Sequence, residues 1–417
     1  MRILSFIQPV LPARPARNRR HNRIIVLAST VLLAALVAAC GTSGGNPSST
    51  TASTAPSTVY RWGVVGNKGA ITQLQLDRPT ALAGISGKVV QIATSNSDGY
   101  ALDSEGSVYG WGVNSYGELG DGQLTPYETK AVRVEFPSGV KITSLANPMP
   151  FDGGLAIDSA GHAWGWGLNG VGDLCLPNLV NSHPEQLPLS DVTLATGART
   201  HALFDSGGTV YACGSGDVGE LGNGSTASSS TPAPVIGLPS GVKVTALASS
   251  WEGSGALLAN GDYYNWGYNA AGQLGNGSTA NSAVPVRVQL PGAVRQVFQG
   301  GSGPKNGQTI AILNGGETWT WGNNDRGQLG IGSVTSSAVP VRVRVPKGVT
   351  FVAVSSGGYA SYGIGRTGLL WAWGDNGSGQ LGIGSSRQRA TLPVDVGIHL
   401  TQVSSTAQNV AGYKEQG

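Results

Sequence analysis

The sequence predicts an all-β chain folded as a closed seven-bladed β-propeller of four-stranded blades, the ring shut by pairing of the N-terminal strand with the C-terminal unit. Three observations lead there. A motif returns about every 50 residues, the signature of a supersecondary module too small to bury its own core. The last copy breaks off unfinished, and its missing strand stands at the other end of the chain. No segment of residues 58–417 sustains an apolar period of 3.6 residues.

The motif is an aromatic residue two places before Trp-Gly. It occurs as Tyr60/Trp62, Tyr109/Trp111, Trp164/Trp166, Tyr211/Cys213, Tyr264/Trp266, Trp319/Trp321 and Trp371/Trp373, with Cys213 taking one Trp position. Successive second members are 49, 55, 47, 53, 55 and 52 residues apart. Counted from the Trp, Gly stands at +6 (Gly117, Gly172, Gly219, Gly272, Gly327, Gly379) and Leu at +8 (Leu119, Leu174, Leu221, Leu274, Leu329, Leu381). Asn stands at +3 in Asn114, Asn169, Asn269, Asn324 and Asn376, with Gly216 as the exception.

Each unit reads as four short strands. A Gly five residues before the Trp, as at Gly106 or Gly261, supplies the hairpin turn, because Gly tolerates positive φ. In the strand that follows, residues two apart share a face, so Tyr109 and Trp111 pack on one side of the sheet. The Asn/Gly-rich stretch after Trp-Gly turns tightly, and the +8 Leu pins it to the core. A second alternating run follows, as in Pro285-Val286-Arg287-Val288 or Pro340-Val341-Arg342-Val343, with Pro at a strand start where no ladder donor is needed. A third run, such as Val242 to Leu247, leads through a loop into Gly255-Ala256-Leu257-Leu258. Four strands per unit is the content of one propeller blade.

The ends complete the ring. The final unit stops at Gly417, its turn Gly, and by the fixed offset the chain resumes at Thr58-Val59-Tyr60-Arg61-Trp62-Gly63. A circle closes this way, whereas an open solenoid needs polar caps. Residues 58–417 divide into about 51 per blade across seven. Sixty-five Gly in 417 residues would fit low complexity, but regularly placed Trp and Leu argue for a packed domain.

Ahead of the ring, residues 1–23 carry Arg2, Arg14, Arg17, Arg19, Arg20 and Arg23 and no acid, and Ile24 to Ala39 form an apolar run. This pattern is a secretory signal, too short for a comfortable membrane span. Arg19-Arg20 is a poor match to the twin-arginine motif. Val37-Ala38-Ala39-Cys40 resembles the lipobox of bacterial lipoproteins, which implies cleavage after residue 39 and thioether lipidation of Cys40. The alternative is an ordinary signal peptide with a chance Cys. Domain boundaries follow: 1–39 signal, 40–57 lipidated Cys and flexible tether, 58–417 propeller. Gly41 to Ser57, rich in Gly, Ser, Thr and Pro, spans roughly 23 Å r.m.s. as a flexible coil. More than one acyl chain makes such an anchor stable, since each buried CH₂ contributes about 0.8 kcal/mol.

Charge and reactive residues exclude several classes of function. Without the six arginines of the leader, 20 basic residues face 23 acidic ones, so no nucleic-acid footprint is present. His162, His183, His201 and His399 show no paired metal spacing, and neither a nucleophile elbow nor a phosphate loop occurs. The acids are scattered singly and form no calcium loop. A non-enzyme without metal or cofactor is expected. Cys175 and Cys213 are expected as two small buried residues, since lying on adjacent blades does not itself bring Cα atoms within about 7 Å. Their pairing is the alternative.

Trp266-Gly267-Tyr268-Asn269-Ala270-Ala271-Gly272-Gln273-Leu274-Gly275 resembles the repeat of the regulator of chromosome condensation family. It recurs from Trp321 to Gly330 and Trp373 to Gly382, and with Glu for Gln from Trp111 to Gly120. The resemblance covers residues 58–417 and implies a seven-bladed propeller. The copies depart from the pattern at Gly66-Asn67-Lys68-Gly69-Ala70, at Cys175 and at Cys213. His201 falls where the family has a hydrogen-bonded structural His. The founding member is a nuclear exchange factor for a small GTPase, an activity an exported chain does not meet. Exported bacterial members include a propeller that inhibits β-lactamases by covering them with one loop face, and this chain is similar to that branch in its targeting.

A rigid ring collects recognition residues in the loops at one end. The most variable loop here precedes the Leu/Ile strand and offers Phe151, Arg199, Trp251, Glu252, Lys305 and Tyr359 as candidate partner-binding residues. The alternative for Phe151, Trp251 and Tyr359 is blade-filling core. Trp251 is the leading candidate, because Tyr264 and Trp266 already fill the core slots of its unit. The expected function is a monomeric, non-catalytic recognition propeller, lipid-anchored through Cys40 outside the bacterial cell membrane and binding a protein or a cell-wall glycan. A β-lactamase-inhibitor-like propeller and a cell-wall-acting enzyme with an unrecognised loop site are the alternatives.

Overall fold

The computed structural model describes residues 57–65, 74–301, 303, 306–384 and 386–415. The leader, Cys40, the tether up to residue 56, the loop from Gly66 to Ala70, Lys305 and the terminal Gly417 therefore lie outside the described residues. Those described build seven antiparallel sheets of four strands each. The first blade in sequence runs Val89–Thr94, Asp98–Asp103, Val108–Val113 and Tyr127–Arg133, in the same order from the axis outward. Five further blades repeat this plan. The seventh joins Gln402–Thr406 and Asn409–Lys414 to Thr58–Val65 and Leu74–Ala81. Thr58 pairs with Lys414 and Trp62 with Val410, so the two ends of the ring close in the predicted register.

Circumferential bonds hold the blades to one another. The Trp that ends each motif is fully buried wherever it is described, and in five of these six the indole Nε1 donates to the +7 carbonyl of the preceding blade, Trp111 being the exception. The pairs are Trp166 to Glu118 (2.8 Å), Trp266 to Glu220 (2.9 Å), Trp321 to Gln273 (3.0 Å), Trp373 to Gln328 (2.8 Å) and Trp62 to Gln380 (3.0 Å). The last bond crosses the closure. Nearer the axis, hydroxyls join inner strands of neighbouring blades, as in Thr94 with Ser404 (2.9 Å) and Thr196 with Ser249 (2.8 Å).

The +3 Asn organises the loop that carries this carbonyl. Its Oδ1 accepts the +8 Leu amide at 2.9–3.0 Å in five blades, from Leu119, Leu174, Leu274, Leu329 and Leu381. Its Nδ2 donates to carbonyls further along, such as Ser278 and Ala280 from Asn269. A buried amide that satisfies three backbone groups fixes the loop without regular structure.

Two expectations change. The outermost strands begin earlier than the Pro residues: Pro285 and Pro340 fall inside Ser282–Arg287 and Ser337–Arg342. Both sit where the pairing register shifts, so the missing N–H interrupts no ladder bond. Cys175 and Cys213, expected as two separate buried residues, form a disulfide with a Cα–Cα distance of 5.7 Å. The reason lies in the interblade lock. Cys175 stands at +9, where five other loops have Gly, and keeps their left-handed backbone (φ 54°, against 64–68° at Gly120, Gly222, Gly275, Gly330 and Gly382). A Cβ at those glycines would press on the next blade's Trp, approaching Trp321 to 2.7 Å from Gly275. With Cys213 in place of that Trp the space is open, and a covalent bond takes over the role of the indole bond.

Candidate binding site

The loops joining each inner strand to the second strand open on the same end as the Trp-Gly loops, because the second and third strands are antiparallel. The second strands begin at Asp98, Gly153, His201, Gly253, Gln308, Ala360 and Asn409, each opposite the Gly that follows its motif Trp or Cys213. Two places before them stand Asn96, Phe151, Arg199, Trp251, Asn306, Gly358 and Ala407. Phe151, Arg199 and Trp251 thus occupy one equivalent position on three consecutive blades.

They meet at the axial mouth, a pocket also lined by the inner-strand ends Ser249, Gln299, Ser356 and Ser405. The rings of Phe151 and Trp251 are 5.3 Å apart at 75°, and form a corner. The Arg199 guanidinium carbon sits in it, 4.4 Å from the Phe151 centroid and 4.2 Å from that of Trp251. Hydrogen bonds between their loops place the two rings: the Phe151 amide donates to Ala198 O (3.2 Å), its carbonyl accepts from Asn96, and Thr200 Oγ1 donates to Trp251 O (2.7 Å). Both rings are half-buried and Arg199 is exposed, so these aromatics are not blade-filling core.

The other candidates fall apart from the trio. Glu252, half-buried, begins the next cleft, and its Oε2 has no partner among the described residues. Tyr359 is half-buried four blades on from Phe151 and makes none of the ring contacts; its carbonyl accepts from the Asp375 amide (2.9 Å). Lys305 lies outside the described residues. His201 is buried and neutral, with Nε2 2.7 Å from Ser254 Oγ, and burial pushes its imidazole down to about 3. It is structural.

Sequence reading missed the acids of this face. At +7, three loops carry Gln273, Gln328 and Gln380, while three carry Glu118, Asp173 and Glu220. The side-chain oxygen accepts the +5 amide in both kinds, as Glu118 does from Tyr116 (2.7 Å) and Gln328 from Arg326 (2.9 Å). The acids keep that contact but bring a buried carboxyl. Burial pushes Glu118 and Asp173 up to about 7, with Asp152 adding repulsion to both. Asp152 is itself raised by burial, and Arg199 draws it down. Burial also raises Glu252, helped by Glu220 and Asp217. The signal was available as the alternation of Gln with Glu or Asp at one offset. Among the described residues, no three His, Cys, Asp or Glu side chains converge as a metal site.

Fold and mouth together define a seven-bladed propeller whose axial mouth carries two aromatic rings and an Arg. The model of the Regulator of chromosome condensation (RCC1) repeat matches residues 105–146, 207–257, 260–303, 315–364 and 367–411, more than half of the chain. The chain belongs to the RCC1 repeat family. It is 29% identical over 323 residues to the ultraviolet-B receptor UVR8 of Arabidopsis thaliana, covering 75% of this chain and 71% of UVR8. It is 26% identical over 313 residues to the E3 ubiquitin-protein ligase HERC2 of Homo sapiens, covering 72% of this chain but only 6% of HERC2. Among solved structures, human WBSCR16 superposes with a TM-score of 0.74 at 20% identity, covering 87% of this chain and 100% of that one. Prp20p from Saccharomyces cerevisiae superposes with a TM-score of 0.71 at 21% identity, covering 87% and 92%. The stretch 147–206, between two matched segments, holds Phe151, Cys175 and Arg199.

Proposed function

We propose that this chain is a non-catalytic recognition propeller that binds a partner protein at its axial mouth, and that a lipid on Cys40 holds it outside the bacterial cell membrane. The observation that carries the binding reading is the Phe151–Arg199–Trp251 stack, one residue from each of three consecutive blades, open to solvent and with its rings placed by hydrogen bonds between their loops. Aromatic side chains at a concave mouth, with an Arg stacked on them, match the residue types that anchor protein interfaces. A partner of protein type has support from a relative: Prp20p is described with its binding properties to Gsp1p and histones. The anchored setting draws on Arg-rich residues 1–23, the apolar run to Ala39, and Val37-Ala38-Ala39-Cys40.

The test is capture of envelope proteins by the full chain, crosslinked in its native membrane. A specific partner recovered with the wild type and reduced roughly tenfold or more by Trp251→Ala, with unchanged melting, supports the reading. A partner retained in full by Phe151→Ala and Trp251→Ala moves binding to another surface, and turnover of wall material replaces binding with catalysis. Labelled palmitate incorporated by the wild type and lost in Cys40→Ala checks the anchor. A β-lactamase inhibition assay checks the inhibitor-like alternative.

A further inference from the structure

Resting on that reading and deepening it, we infer that the corner between Phe151 and Trp251 is a cation seat, held in the free protein by the chain's own Arg199 and taken over by a Lys or Arg side chain from a basic segment of the partner. Two nearly perpendicular ring faces, 5.3 Å apart, address a single point from two sides and leave the solvent side open. That is the arrangement by which aromatic rings hold a cation, whose charge is attracted to the negative faces. Arg199 fills the point at 4.4 and 4.2 Å.

Arg199 is a loosely held occupant. It is exposed, and its guanidinium makes no hydrogen bond or ion pair among the described residues; the two ring faces and the field of nearby acids hold it. The surrounding charge selects the ligand's sign. Asp152 and Asp173 lie within electrostatic reach of Arg199. A carboxylate docking on Arg199 would face these two acids. A basic side chain would gain them as counter-charges and release Arg199 to solvent.

Displacement and anchoring by Arg199 give opposite outcomes on removing it. Fluorescein-labelled hexa-arginine, hexalysine and hexaglutamate are titrated by anisotropy, at low salt, into the full chain and its variants. Saturable binding of the basic peptides, tightened roughly fivefold by Arg199→Ala as the seat is vacated, is the expected result. Phe151→Ala, Trp251→Ala and Asp152→Asn each weaken it, by roughly threefold to tenfold for the rings. Arg199→Gln, which keeps the side-chain volume, gives the same direction if the Ala variant melts early. The inference is overturned if Arg199→Ala weakens the basic peptides, if hexaglutamate binds the wild type more tightly and loses that binding in Arg199→Ala, or if no peptide binds either protein. Each of these leaves partner capture through Phe151 and Trp251 standing, whereas loss of that capture effect sinks the broader reading separately.

Discussion

Glu118 and Asp173 hold loop amides in the way Gln273, Gln328 and Gln380 do elsewhere, but each brings a carboxyl that burial pushes up to about 7. Their ordinary values are 4.5 and 3.8, so between those values and 7 the folded protein keeps protons that the unfolded chain releases. The contribution to stability is therefore full at acid pH and lost as pH rises through 7. His201 works in the opposite sense below 6.5, because its folded value of about 3 leaves it neutral while the unfolded imidazole protonates. Between pH 8 and 6.5 that opposition is only partial, and the two carboxyls together outweigh the one imidazole. The urea midpoint of the wild type, followed by Trp fluorescence, is expected to rise on going from pH 8 to 6.5. Glu118→Gln with Asp173→Asn is expected to flatten that rise, and an unchanged slope would show that the two carboxyls do not carry it. The Gln form is already native on three other loops, so the variant keeps the +5 amide bond.

At the scale of the blade, the loop after Trp-Gly is the working element. Asn324→Ala would remove an acceptor for Leu329 N and two donors to the carbonyls of Ser333 and Thr335. A loss of about 1–3 kcal/mol in chemical denaturation is expected, from burying unsatisfied groups. The second and third blades solve the same linkage covalently. Reducing the disulfide, or Cys213→Ala, is expected to cost about 2–4 kcal/mol, and the oxidised and reduced wild type should differ while Cys213→Ala should not respond to reductant. Cys213→Trp alone would crowd the Cys175 side chain. Cys213→Trp combined with Cys175→Gly restores the lock seen between the other blades, and is expected to melt above the single variant. Equal or lower melting would refute the exchange of an indole bond for a disulfide.

For the ring as a whole, closure rests on the pairing of Thr58–Val65 with Asn409–Lys414 and on the Trp62 bond to Gln380. Trp62→Ala is expected to cost about 3–5 kcal/mol, as for other buried Trp side chains. Deleting residues 58–63 removes more: it leaves Asn409–Lys414 as an exposed edge and takes the seal from the last interblade seam. Broadened, non-coincident unfolding by fluorescence and circular dichroism is expected, together with concentration-dependent association in sedimentation. Sharp two-state unfolding of the deleted monomer would mean that the closure is dispensable.

Much of this was legible along the chain because it is periodic. Trp, Leu, Asn and Gly at fixed offsets specify local turns and strands, and a shortfall at one end matched by a surplus at the other specifies a circle. The blade count, strand order and closing pair follow from those patterns alone. Contacts between blades are not periodic within one unit. That the Trp reaches the +7 carbonyl, and that Gly at +9 makes room for it, emerges only when neighbouring blades are set side by side; the Cys175–Cys213 bond was hidden for that reason, although Cys takes the +9 position in the loop just before the one unit whose Trp is a Cys. The aromatic corner was half visible. Phe151, Arg199 and Trp251 stood out as residue types in a variable loop, but their rings and charge are separated by about 50 residues in sequence and brought within 5.3 Å by blade geometry. The chain's repeats determine the ring, since local hydrogen bonding and burial act within each unit. Only the tertiary structure decides which side chains share the axis, because that depends on how the units pack.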